Sequence, residues 1–197
     1  MNAFVALPCA AVLLLAAAGD VRAERYLTAD EARKLAFPAA EQIEELTFRF
    51  SAAETAQIEK KCSLKLRNSS ARCLVVRNGT TLVGVLVLDQ ALGKHEMIDY
   101  AVAINPDGRV LQVEVLEYRE SQGREVRSAK WRGQFKDKSA DSALRLNQDI
   151  YNISGATISC RSVTEGVRRV LATFEVAIKP RLAQPSPRAE GQSPAKK

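Results

Sequence analysis

The sequence predicts an α+β domain, an antiparallel sheet of hairpins with flanking helices, the last of which opens on a small polar loop. Two pairs of apolar runs alternate with period two across tight-turn signals, at Asn78-Gly79 and at Asn105-Pro106-Asp107-Gly108. Two capping boxes, Thr28 to Glu31 and Ser51 to Glu54, start short helices ahead of the sheet. Ile158, Val163, Val167, Leu171, Phe174 and Ile178 then recur at spacings of three to five, the rhythm of a helix with one buried stripe. Helices before and after a block of short strands define α+β rather than α/β.

The elements follow in order. Ala3 to Gly19 is almost wholly apolar, and Val21-Arg22-Ala23 offers small residues where a signal peptidase reads. Residues 1–23 are therefore expected to be a signal peptide; left uncleaved, they would serve as a membrane anchor. Cys9 does not suggest a lipoprotein, because Pro8 precedes it and the apolar core follows it. The first helix runs from Thr28 through Ala32, Leu35, Ala36 and Phe37 and is stopped by Pro38, which disfavours helix in the residue before it. The second starts at Ser51 and ends near Lys61. Between them Leu46–Phe50 reads as a strand or an extended connector. Cys73–Arg77 and Leu82–Leu88 form the first hairpin, Tyr100–Ile104 and Val110–Tyr118 the second. The domain is expected to span 24–178, followed by a disordered basic tail at 179–197 that is rich in proline and lacks aromatics.

The net charge of +6 is mostly the tail's, so the body of the domain is only weakly basic and gives no footprint for nucleic acid. His95 is the only histidine, which excludes a multi-histidine metal site, and no Cys-x-x-Cys-His is present for haem. Nothing pairs a nucleophile with a positioned base, and neither a Walker motif nor a GxGxxG fingerprint occurs. His95 itself, in Gly-Lys-His-Glu, reads as a surface loop residue.

The stretch that carries chemistry is Asp149–Ile178. Its helix begins at Ser154-Gly155-Ala156-Thr157, where the first N–H groups lack carbonyl partners and the dipole is positive. An anion such as phosphate is favoured there. Gly155 allows close backbone approach, Ala156 keeps bulk away, and Ser154, Thr157 and Ser159 add hydroxyls. The plain alternative is that Ser154 or Thr157 is only an N-cap and Gly155 only a turn.

The segment SGATIS at Ser154–Ser159 resembles the flavin-attachment motif of the FMN-binding domain family, which includes the flavin subunits of the Rnf and sodium-pumping NADH:quinone reductase complexes. GKHE at Gly93–Glu96, the YAVAI strand, the PDG turn, VLEYRESQGREV and SAKWRGQFKDKS add to the likeness, which covers roughly Tyr26 to Ile178. Where the family usually carries an aspartate just before the motif, this chain has Asn152, with Asp149 further upstream. The resemblance implies FMN held covalently through a phosphoester on Thr157. Ser154, Gly155, Ala156 and Ser159 would hold the phosphate, Ile158 would join them in binding the cofactor, and Glu120 would lie in a loop near the flavin. It further implies a flavin transferase as a partner, and membrane or periplasmic redox proteins as electron donors and acceptors. The expected protein is an extracytoplasmic electron-transfer flavoprotein; the alternative is a periplasmic binding or assembly domain without cofactor.

Trp131, with Phe135, marks one face of a helix, either as core or as an apolar wall for an isoalloxazine. Of the three cysteines after residue 23, Cys62 and Cys73 flank the turn-like Asn68-Ser69-Ser70, and an oxidising compartment would favour a disulfide between them. Cys160, in the first turn of the last helix, is either a small buried residue or a thiol with a pKa lowered by the helix N-terminus.

Overall fold

A computed structural model of the chain describes residues 24–120 and 122–183. The expected signal segment and most of the basic tail lie outside those residues. Strand β1 (Glu24–Arg25) is followed by α1 (Ala29–Ala36), β2 (Gln42–Arg49) and α2 (Ala52–Cys62). Strands β3 (Ser70–Asn78), β4 (Thr81–Leu92), β5 (Met97–Ile104) and β6 (Val110–Tyr118) come next. The short α3 (Ala129–Arg132) and the long α4 (Thr157–Thr173) complete the domain, with a π-helical turn (Phe174–Ile178) and α5 (Lys179–Ala183) extending α4.

All six strands pair antiparallel in the order β1-β6-β5-β4-β3-β2. Both expected hairpins form, and the undecided segment before Ser51 is a full strand that pairs Gln42–Arg49 with β3. Both capping boxes close: Thr28 and Ser51 accept from the N–H groups of Glu31 and Glu54, whose carboxylates bond back to the capping residues. Each satisfies two amide donors that the helix start would otherwise leave unpaired.

Alternation along the strands divides the interior. Cys73 and Val75, Val85 and Val87, and Tyr100 and Val102 face α4 in the main core. Leu74, Val76, Leu86, Ala101 and Ala103 face α1, packing against Ala32 and Phe37. With both faces covered, β5 is buried almost from end to end. The buried stripe of α4 includes Cys160, Val163, Val167, Val170 and Leu171, and Phe174 and Ile178 continue it through the π-helical turn. Ile158 does not belong to it: at 49% exposure it points away from the sheet, because the 100° step per residue turns position 158 off the face that Cys160 and Val163 occupy.

The helix also runs past the expected boundary at Ile178. Arg181 pairs with Glu54 at 2.6 Å and Leu182 packs against the main core, so 179–183 continue the domain. The bridge expected between Cys62 and Cys73 is absent, and Cys62, Cys73 and Cys160 are all buried free thiols. Its premise, two facing extended segments, fails because Cys62 is the last residue of a helix. Cys62 packs with Ile58, Ala172 and Ala177, whereas Cys73 sits in the main core.

Candidate functional site

The loop that delivers α4 is fixed at three points. The carboxylate of Asp149 accepts from the N–H groups of Leu144 (3.0 Å) and Arg145 (2.8 Å) and from Lys138 Nζ (3.1 Å). Burial alone would raise the Asp149 pKa, but these bonds outweigh it and hold the carboxyl below its usual range. Two residues on, Tyr151 is gripped through its backbone: its N–H donates to Gln134 Oε1 (2.6 Å) and its carbonyl accepts from Trp131 Nε1 (2.8 Å). Trp131 is therefore a buried prop beneath the loop, 4% exposed and edge-on to Phe135 at 5.2 Å. It stands outside the lining of the cleft described next.

Gly155 turns the chain into α4 at φ +84°, with open space where a side chain would start. A residue with a Cβ would be strained at that φ. The N-cap position falls on Ala156, which has no side chain able to satisfy the first amides of the helix. Neither Ser154 nor Thr157 caps it. Seventeen residues of helix thus begin with open N–H groups and the positive end of the dipole.

Those amides border a cleft of about 390 Å³ lined by Gly155, Ala156, Thr157, Ile158 and Ser159 on one side, and by Lys94, His95, Glu120 and Gln122 on the other. The volume lies within the range of small-molecule sites, roughly 300–1,000 Å³. Thr157 Oγ1 accepts a hydrogen bond from Asn152 Nδ2 at 2.9 Å, which leaves its own proton free to point elsewhere. Asn152 Oδ1 is buried without a partner. Ser159 Oγ bonds the buried hydroxyl of Tyr118 at 2.9 Å, joining the first turn of α4 to the end of β6. Glu120, only 6% exposed, accepts at Oε1 from the N–H groups of His95 (2.5 Å) and Glu96 (3.0 Å). Burial favours its neutral form, yet the amide bonds prevail and keep the carboxyl below its usual range.

Of the residues the sequence singled out, Thr157, Gly155, Ala156, Ile158, Ser159 and Glu120 meet in one cleft. Ser154 is exposed on the approach loop outside the lining, and Trp131 lies in the core behind that loop. Lys94, His95 and Gln122 were missed. The only sequence signal for Lys94 and His95 was the Gly-Lys-His-Glu turn, which reads locally as an ordinary surface loop, and Gln122 carried none. Cys160 is fully buried, and burial pushes its thiol pKa up, against a smaller opposing contribution from the Ile153 backbone.

This arrangement fits a flavin nucleotide: an uncapped helix start and the nitrogen side chains of Lys94 and His95 suit a phosphate, a hydroxyl stands at that start, and the cleft is of small-molecule size. Residues 93–172, which include β5, β6, α3 and most of α4, match the family of the FMN-binding domain. Over that segment the chain is similar to an FMN-binding domain. A component of the proton-translocating ferredoxin:NAD(+) oxidoreductase complex of Clostridium ljungdahlii is 33% identical over 103 residues, covering 48% of this chain and 55% of that relative. The chain thus spans about half the length of this curated relative. The crystal structure of NqrC from Shewanella oneidensis superposes with a TM-score of 0.53 at 21% identity, over 79% of this chain and 89% of NqrC. The two share the fold.

Proposed function

We propose that this protein is an extracytoplasmic electron carrier whose FMN is joined to Thr157 through a phosphoester. The observation that carries the proposal is the position of the Thr157 hydroxyl, at an uncapped helix N-terminus on the rim of a cleft of FMN-domain type. Bound FMN would supply one- and two-electron chemistry, and the chain would supply attachment and orientation. The open amides of α4 would receive the phosphate oxygens, Gly155 and Ala156 leave room for them, and Ile158 offers an exposed apolar surface at the same rim. Asn152, as donor to Thr157 Oγ1, holds the hydroxyl at the start of the helix.

Ester formation by loss of water is unfavourable in water, so the donor must be a flavin nucleotide with a phosphoanhydride. The Thr157 Oγ–P bond forms, the anhydride bond to the leaving nucleoside monophosphate breaks, and a base on a flavin transferase takes the hydroxyl proton. An ester of this kind retains the flavin where free FMN is scarce. The segment at 1–23 supports export, and the likeness to a component of a ferredoxin:NAD(+) oxidoreductase complex supports membrane or periplasmic redox partners.

Coexpression with a flavin transferase and export signal tests the reading. Intact-mass spectrometry should find one FMN-sized adduct on the wild type, none on Thr157→Ala, and a partial adduct on Thr157→Ser. A colourless wild type without adduct would favour a binding or assembly domain in which the loop carries structure alone.

A further inference from the structure

Glu120 is the only carboxylate among the described residues that line the cleft, and it does not face the interior as a free charge. It reaches across 25 residues of sequence to cap the turn at Gly93–Glu96, accepting both the His95 and the Glu96 N–H at Oε1. The turn is closed by its own bond, from the Gly93 N–H to the Glu96 carbonyl at 2.8 Å. Gly93 packs directly on the carboxylate: a Cβ there would lie 2.5 Å from Oε1 and 3.0 Å from Cγ. The turn and the carboxylate are therefore fitted to one another.

The tip of that turn carries Lys94 and His95, which line the cleft opposite Gly155–Ser159. Among the described residues neither side chain makes a hydrogen bond or ion pair. The cleft thus has unengaged amides on one wall and, on the other, the Lys94 and His95 side chains without a hydrogen bond or ion pair, while its single carboxylate is occupied chiefly by backbone donors. A cleft so furnished suits an anion contacted from both sides.

We propose that Glu120 is a positioning residue: it latches the 93–96 turn so that the Lys94 ammonium and the His95 ring form a second wall of nitrogen donors for the phosphate-bearing part of the ligand that Thr157 receives. The proposal rests on the flavin reading for the identity of the ligand, but the latch and the wall can be measured without flavin. Glu120 acts through the turn and touches no reacting atom. A glutamine in its place keeps an acceptor oxygen for the two amides, whereas an alanine keeps none.

The test uses the full-length, unmodified protein and two readouts. In hydrogen exchange, Glu120→Ala should cost the His95 and Glu96 amides about tenfold or more of their protection, and Glu120→Gln should restore most of it. In NMR titrations with inorganic phosphate, the Thr157, Ile158 and Ser159 amides should shift. The apparent affinity should fall about fivefold in Lys94→Ala/His95→Ala and in Glu120→Ala, but little in Glu120→Gln. The double variant alters exposed side chains and leaves the fold intact, so it keeps the test decisive if Glu120→Ala unfolds. Unchanged exchange in Glu120→Ala would overturn the latch. A wild type whose amides ignore phosphate, or a double variant that binds it equally well, would overturn the wall. If the phosphate response depends on the latch as expected but no adduct ever forms on Thr157, the flavin reading fails while this one stands.

Discussion

Gly166, in the middle of α4, should be intolerant of the smallest side chain. A Cβ built there would overlap the Tyr100 hydroxyl oxygen and lie 2.7 Å from Cζ. Tyr100 cannot yield easily, because it is fully buried on β5 and its hydroxyl donates to Asp89 Oδ2 at 2.5 Å. Arg169, one turn further along α4, reaches the same Asp89 oxygen at 2.6 Å. Gly166→Ala gains about 0.5–1 kcal/mol of helix propensity. Against that, overpacking costs about 1–3 kcal/mol, and loosening a hydrogen bond to a charged group costs about 1.5–3 kcal/mol. The net is a destabilisation of about 1.5–5.5 kcal/mol, or roughly 3–20 °C in Tm for a domain of this size. Thermal and urea unfolding of the single variants and of Gly166→Ala/Tyr100→Phe would measure it. Removing the hydroxyl takes away the nearest clashing atom, so the double variant should lose less than the sum of the singles by at least about 0.5 kcal/mol. A Gly166→Ala protein as stable as wild type, or additive losses, would mean that α4 does not pack on Tyr100 as described.

Thr157→Ala should cost no more than about 1 kcal/mol in urea unfolding, since Thr157 makes one side-chain bond and caps nothing; a larger loss would show the hydroxyl to be structural. Asp149→Asn should cost about 1–3 kcal/mol at neutral pH by weakening the bonds at Leu144, Arg145 and Lys138. Because the folded pKa of Asp149 is depressed, its contribution is present above the unfolded value near about 3.9 and is lost as pH falls through the folded value. The difference between the two proteins should therefore shrink below about pH 4 in acid titrations of stability; a gap that persists at lower pH would contradict this. Cys62, Cys73 and Cys160 should resist alkylation in the native protein and all react after denaturation without reductant, the Cys73 thiol being pushed up to about 12 by burial. A peptide joining Cys62 to Cys73 would refute the placement of α2.

The parts of the fold that could be read from the chain were those fixed by neighbours in sequence. Thr28 and Ser51 announce helices because a capping box closes within three residues, and Asn78-Gly79 announces a hairpin because its turn type is local. SGAT was legible as the start of α4 for the same reason: the small-residue turn and its hydroxyl lie within one turn of the helix. The failures were long-range. Ile158 fits the apolar rhythm but lies off the buried face. The Cys62 thiol follows its helix into a satellite cluster rather than meeting Cys73. Lys94 and His95 become site residues only because Glu120 brings their turn across the cleft, a contact 24 and 25 residues apart that no local pattern encodes. Trp131 serves the site from behind, through Tyr151, which periodicity alone could not distinguish from facing it.

The central claim is that Thr157 at the start of α4 carries the flavin, and tandem mass spectrometry of the exported, transferase-treated protein tests it most directly. Proteolysis should yield one yellow peptide spanning SGATIS, with fragment ions that place the intact FMN adduct, FMN less one water, on Thr157 and leave Ser154 and Ser159 unmodified. An adduct on either serine, on another peptide, or on none would contradict it.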